Sequence, residues 1–271
     1  PTRRTADDRA ARAERGAQPR SLYSAPRRPV ALAGASPATS GRRPSMRIVH
    51  YHSALRLESG GVVRAVLDLA AVAAVGGAEV VVATTDDTDA PAGWPRVGPA
   101  DLAASEPPPG LPRVVRTPPP DRPAARLSRA RVEAHAPLLE PGSCLHLHGM
   151  WSPRSLPLGA LPRARRVPSV ISRHGMPAAW SMAQKTLKKR VYLALGGRRW
   201  LEDAAAVLCT ARAELEQARR WFSRARGESL PLIMDLGDYR TLPGPGPARD
   251  RLPELADGDV PSLLFLSRIH P

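Results

Sequence analysis

From residue 46 onward, apolar positions fall into short runs separated by longer stretches with helical spacing. "RIVHYH" (47–52) reads as a first strand, closed by a Gly-Gly pair. "VVRAVLDLAAVAAVGG" (62–77) sets Val62, Val66, Leu69 and Ala73 on one helical face, and Gly76-Gly77 ends it. "AEVVVATT" (78–85) and "RVVRT" (113–117) are the next strands, with a loop rich in Asp, Pro and Gly over 86–112 and a helix expected over 123–139. "SCLHLHG" (143–149), "SVISRHG" (169–175) and "AAVLCT" (205–210) complete the strands, with helices expected over 153–164 and 178–201. Strands alternating with helices predict an α/β fold, a parallel doubly wound sheet covered by helices on both faces.

The ends of the chain break this rhythm. Residues 1–45 are rich in Arg, Ala, Pro and Ser and show no sustained period, which predicts a disordered basic tail, with Met46 as the natural start and the tail as upstream sequence read through. A sheet domain is expected over 46–240, and a Gly/Pro-rich linker over 241–260. "PSLLFLSRIHP" (261–271) then opens a fresh buried strand. One strand cannot form a sheet alone, so a second domain is expected to have been cut away.

Composition narrows the class. The chain has 271 residues, 31 of them proline and 21 glycine, and a net charge of +15. Such a charge invites a nucleic-acid reading, but its distribution argues against one. Residues 1–45 hold ten arginines against Asp7, Asp8 and Glu14, and the remaining positive charge is spread widely. Arginine far outnumbers lysine, which fits a GC-rich coding bias better than a binding surface. No run of 18 or more apolar residues is present, and no signal-peptide core. Cys144 and Cys209 each lie in a strand-like run, as expected of reduced, buried thiols in a cytoplasmic protein.

Four constellations carry candidate chemistry. Gly60-Gly61, between the first strand and a helix N-terminus, offers bare backbone N–H groups and the helix dipole to an anionic or sugar ligand; a tight turn without a ligand is the alternative. The fuller G-x-G-x-x-G fingerprint of dinucleotide binding is absent. His148 and His174 end separate strands, each before a glycine, where a Rossmann-like domain keeps its site. There an imidazole can donate to a hydroxyl or phosphate, or simply hydrogen-bond a neighbouring loop. His50-x-His52 and His146-x-His148 place histidines in alternation on a sheet face, where the four could converge, but no carboxylate or cysteine motif joins them at ligand spacing, so no metal is expected. In "QKTLKKRVYLALGGRRW" (184–200), Leu187, Val191 and Leu195 form an apolar line with Lys185, Lys188, Lys189 and Arg190 opposite. That pattern suits anionic lipid, a pyrophosphate to be steadied, or an ordinary helix packed on the sheet.

Taken together, "SGGVVRAVLDLA…GGAEVVVAT", "HLHGMWSP", "ISRHGM…W…QKTLKKRVYLAL", "AAAVLCTARAE" and "LLFLSRIHP" resemble, in this order, the N-terminal half of retaining GT-B glycosyltransferases of the GT4 type. The resemblance covers about Met46 to Pro271. It implies an acceptor-side Rossmann-like domain facing a C-terminal domain that binds a nucleotide diphosphate sugar. It also implies transfer of that sugar, with retention, to a glycan or lipid-linked acceptor, without a metal or other cofactor. By the same resemblance His174 would hydrogen-bond the transferred sugar, flanked by Arg173 and Gly175, while Gly60-Gly61 would lie against acceptor or diphosphate. His148 and Lys185 would be substrate contacts, and Arg268 would neutralise the departing diphosphate. The lysine and glycine that should follow Arg268 are missing, as is the later E-x7-E segment, and "IMDLGDY" (233–239) replaces the usual Asn-Gly linker. The chain alone is therefore expected to be an inactive fragment. A peripheral contact at the inner face of the membrane is also expected, and nucleic acid is not. A non-catalytic carbohydrate- or partner-binding domain left by gene decay is the alternative, and a sugar-nucleotide epimerase a third reading.

Overall fold

The structure, a computed structural model, describes residues 46–122, 126–175, 182–233, 241, 244 and 246–252. The expected tail at 1–45 and the strand-like segment 261–271, with Arg268, lie outside the described residues.

The first half runs β1 (Arg47–Tyr51), α1 (Gly61–Val75), β2 (Glu79–Thr84), β3 (Arg96–Val97), β4 (Arg113–Arg116) and α2 (Arg129–Glu133). The second half runs β5 (Ser143–His148), α3 (Ser155–Arg165), β6 (Ser169–Ser172), α4 (Thr186–Tyr192), α5 (Arg198–Glu202), β7 (Ala206–Cys209), α6 (Arg212–Arg219), β8 (Gly227–Ser229) and α7 (Gly246–Arg251). The strands form one sheet in the order β3-β4-β2-β1-β5-β6-β7-β8. Every pairing is parallel. The α/β Rossmann-like expectation thus holds. The order reverses between β1 and β5, and a doubly wound sheet binds its ligands outside the carboxyl ends of the strands at such a point.

Two apolar layers hold the sheet. Val49, Tyr51, Val81, Leu145, Leu147 and Ile171 pack with Leu158, Leu161, Trp200 and Leu201 on one face. Val80, Val82 and Val114 pack with α1 on the other. α1 buries Val63, Val66, Leu67, Ala70 and Ala74, a stripe at three- and four-residue spacing. Of the face read from the sequence only Val66 is fully buried; Val62 and Ala73 pack at its margin. The amino edge is tied by Glu79, which pairs with Arg47 at 2.7 Å and with the buried Arg113. Cys144 and Cys209 are free and buried.

Local chemistry explains the departures from the expected elements. The helix expected over 123–139 is the short α2 followed by a 3-10 turn, Ala136–Leu138, because Pro137 lacks the N–H that continuation needs. In the stretch expected as a helix over 178–201, Gly196 at φ 117 breaks the backbone between α4 and α5. The two- and three-residue strands β3 and β8 are too short to carry an alternation pattern. α7 stands within the expected linker.

Candidate functional site

Register brings the histidines together. Val114 pairs with Val82, Val82 with His50, His50 with His146, and His146 with Val170, forming one row across the sheet. Val49 and Tyr51 belong to the opposite layer, so the period-two alternation turns His50 to the face covered by α1. His148 lies two residues further along β5, at its carboxyl end, and His174 follows β6 by two residues.

The rings form a chain. His50 Nδ1 lies 3.0 Å from His148 Nε2, and His148 Nδ1 lies 3.1 Å from His174 Nε2. His146 Nε2 lies 2.8 Å from Ser172 Oγ, which fixes that ring beside the chain. His50, His146 and His148 are buried, which penalises the imidazolium form. Burial lowers the pKa of His50 to about 4 and those of His146 and His148 well below the ordinary imidazole value. Burial also lowers His174 to about 4, although the charge of Glu214 acts the other way. Near neutral pH all four are uncharged, each with one donor and one acceptor nitrogen.

His50, His146 and His148 offer ligand nitrogens within 4.8 Å of one another, the spacing of a metal site. Yet His146 and His148 are stacked, with centroids 4.2 Å apart and planes 28° apart. The sequence spacing had grouped His50 with His52, but His52 Nδ1 lies 2.8 Å from the Ala54 carbonyl.

The β6 tip is held from the neighbouring element. His174 has φ 50, a left-handed conformation that non-glycine residues seldom adopt, and Gly175 follows at φ 75. The Glu214 carboxylate of α6 accepts hydrogen bonds from the Gly175 N–H at 2.9 Å, the Thr210 N–H at 2.7 Å and the Thr210 hydroxyl at 2.9 Å. Half-buried His174 borders a pocket lined by Ala65, Leu69, Cys209, Thr210 and Leu230. Arg173, 1% exposed, turns inward and donates to Cys209 Sγ. Ser172, Thr210 and Glu214 are not singled out by the sequence; the one signal there is a glutamate in the first turn of a helix after Thr210.

Gly60 caps α1 with φ 113 and ψ −172, a conformation open to glycine, and a side chain on the exposed Gly61 would meet nothing within 4 Å. Gly61 opens α1 on the surface, while the Val63 N–H is already donated to the Gly60 carbonyl at 3.2 Å. Lys185, exposed at φ 49 before α4, has no hydrogen bond or ion pair to the histidines among the described residues. Leu187, Val191 and Leu195 are 76%, 48% and 67% exposed, so the apolar line does not pack on the sheet. Lys189 Nζ lies 5.0 Å from the centre of the Trp151 ring. Among the described residues no helix is long and apolar enough to cross a membrane. A wider cleft lined by Arg163, Ser169, Arg199, Asp203 and Arg226 lies at the amino ends of β6 and β7, away from the histidine tips.

Residues 60–232 match the family model described as a glycosyl transferase 4-like domain. A comparison with curated proteins returned no match. The matched span includes Gly60-Gly61, the β5 and β6 tips and Glu214.

Proposed function

Because the chain belongs to the glycosyl transferase 4-like family, we propose that it serves the transfer of a sugar from a nucleotide diphosphate sugar to a glycan or lipid-linked acceptor, with retention at the anomeric carbon. The observation that carries this reading is His174: half-buried, uncharged near neutral pH, and held at positive φ beside a pocket at the carboxyl edge of the sheet. Backbone strain kept in place by a buried carboxylate clamp marks a position whose geometry is used. His174 hydrogen-bonds the transferred sugar, with Gly175 leaving room for it. The Gly60 N–H is donated to the Leu57 carbonyl at 3.0 Å, so at the Gly60-Gly61 pair it is the Gly61 N–H that meets the acceptor or the donor diphosphate.

The glycosidic bond breaks toward the diphosphate, which gains charge as it leaves. Arg268 and the N-terminal dipole of α1 stabilise that charge, so the reaction needs no metal. His148 acts on the substrate through His174, while Lys185 contacts acceptor or phosphate. The exposed Leu187, Val191 and Leu195, beside Lys188, Lys189 and Arg190, support a peripheral contact with anionic lipid at the cytoplasmic face of a membrane.

The test is product analysis with the protein, using donors labelled at the anomeric carbon. Transfer with retained configuration in the presence of a chelator is expected. Transfer only with added divalent ion, or with inversion, contradicts the mechanism. Sugar binding without transfer favours a carbohydrate-binding module, and a donor altered without transfer favours an epimerase.

A further inference from the structure

The two ends of the imidazole chain differ. At the inner end, His50 Nε2 is buried and has no hydrogen-bond partner among the described residues. At the outer end, His174 borders the pocket. A buried N–H without a partner is rarer than a buried bare acceptor, so Nε2 of His50 carries the lone pair and Nδ1 the proton. That proton is donated to His148 Nε2, 3.0 Å away. A neutral imidazole has one donor and one acceptor, so the proton of His148 is on Nδ1 and is donated to His174 Nε2 at 3.1 Å. His174 is left with its own proton on Nδ1. The opposite polarity would strand an N–H at His50.

We propose that His50 and His148 are positioning residues that hold His174 as its Nδ1–H tautomer, so that it offers a donor, never a base, to an acceptor oxygen of the sugar or of a phosphoryl group. This rests on the reading of His174 as the sugar contact. The surroundings keep the chain uncharged. His146 stacks on His148 from the same strand, with centroids 4.2 Å apart, and lies 4.9 Å from His50. His52 of the β1 end disfavours charge on His148 and His174, and burial outweighs the opposing effect of Glu214. The consequence is specificity: His174 recognises a lone pair and does not deprotonate a hydroxyl.

The tautomers can be read directly. The chain, labelled with ¹⁵N-histidine and assigned through single histidine substitutions, is studied by long-range ¹H–¹⁵N correlation near neutral pH. His50, His148 and His174 are each expected to show Nδ1 protonated, the form that free histidine populates less. His148→Leu removes the donor and is expected to release His174 toward Nε2–H. His148→Asn keeps an amide donor near the former Nδ1 and is expected to hold His174 as Nδ1–H. A protonated Nε2 on His174 or His148 in the unaltered chain overturns the proposal, as does an unchanged His174 in a folded His148→Leu variant. If that variant does not fold, the unaltered spectrum still decides. Because the readout needs no donor or acceptor, loss of sugar transfer with these tautomers intact would count against the transferase reading alone.

Discussion

Glu214 shows how much one side chain can organise. It is 8% exposed and accepts three hydrogen bonds, two from Thr210 and one from Gly175, which is 39 residues away in sequence. Hydrogen bonds to a charged group contribute more than neutral ones, and removing the acceptor strands buried donors. Glu214→Ala is expected to destabilise the fold by about 2–3 kcal/mol. Urea unfolding would show this as a lower midpoint with an unchanged slope. A midpoint equal to that of the unaltered chain would show that the clamp contributes nothing. The partnership was illegible in the sequence because nothing local to "CTARAE" names Gly175. The sequence allows His50, His52, His146 and His148 to converge; the adjacency of β1 and β5 brings His50 to His146 and His148, while His52 turns to the Ala54 carbonyl.

At the level of elements, α1 and the strands were legible because long runs of Val, Ala and Leu bounded by glycine carry their own period. Their contact face was less so: a helix with apolar residues nearly all round leaves the stripe to be chosen by the sheet beneath it. α4 is the reverse case. The apolar line along it and on to Leu195 was legible, but whether the line faced core or solvent was not, and Leu187 at 76% and Leu195 at 67% exposed answer that. Exposed apolar side chains beside lysines and arginine suit an anionic bilayer, where each basic residue contributes about 1 kcal/mol. Co-sedimentation with phosphatidylserine-containing vesicles is expected at low salt. It should weaken at high salt and be lost when Leu187→Gln and Leu195→Gln are combined. Equal binding to neutral vesicles, or none at low salt, contradicts the lipid contact.

For the whole molecule, the histidines set the dependence of stability on pH. His50 and His174 titrate at about 4 in the folded chain, and His146 and His148 are also lowered, against an ordinary value of 6.5. A lowered folded value means that the unfolded chain takes up protons first as pH falls. The stability is therefore fully present above about pH 6.5 and is lost progressively toward pH 4, at up to about 1.4 kcal/mol per pH unit for each imidazole. Asp86, held down to about 2 by its hydrogen bonds from Thr88 and Arg56, acts below this window. Thermal midpoints are expected to be level from pH 8 to about 7 and to fall steeply below about 6.5, less steeply in His50→Leu. A level profile down to pH 4 contradicts the buried, neutral cluster. The architecture was legible because alternating strands and helices leave few topologies. That His174, and not His52, joins His50, His146 and His148 was not, because it depends on strand order and register.

The central claim is that His174 meets the reacting sugar, and turnover per folded molecule tests it most directly. In an assay of sugar transfer by the protein, His174→Ala is expected to lower kcat by about 10²–10³, the usual effect of losing one preorganised donor where charge develops. The circular dichroism spectrum should be unchanged, and His148→Ala should cause a smaller loss. Turnover close to that of the unaltered protein in folded His174→Ala, or equally small effects at both positions, would contradict the account.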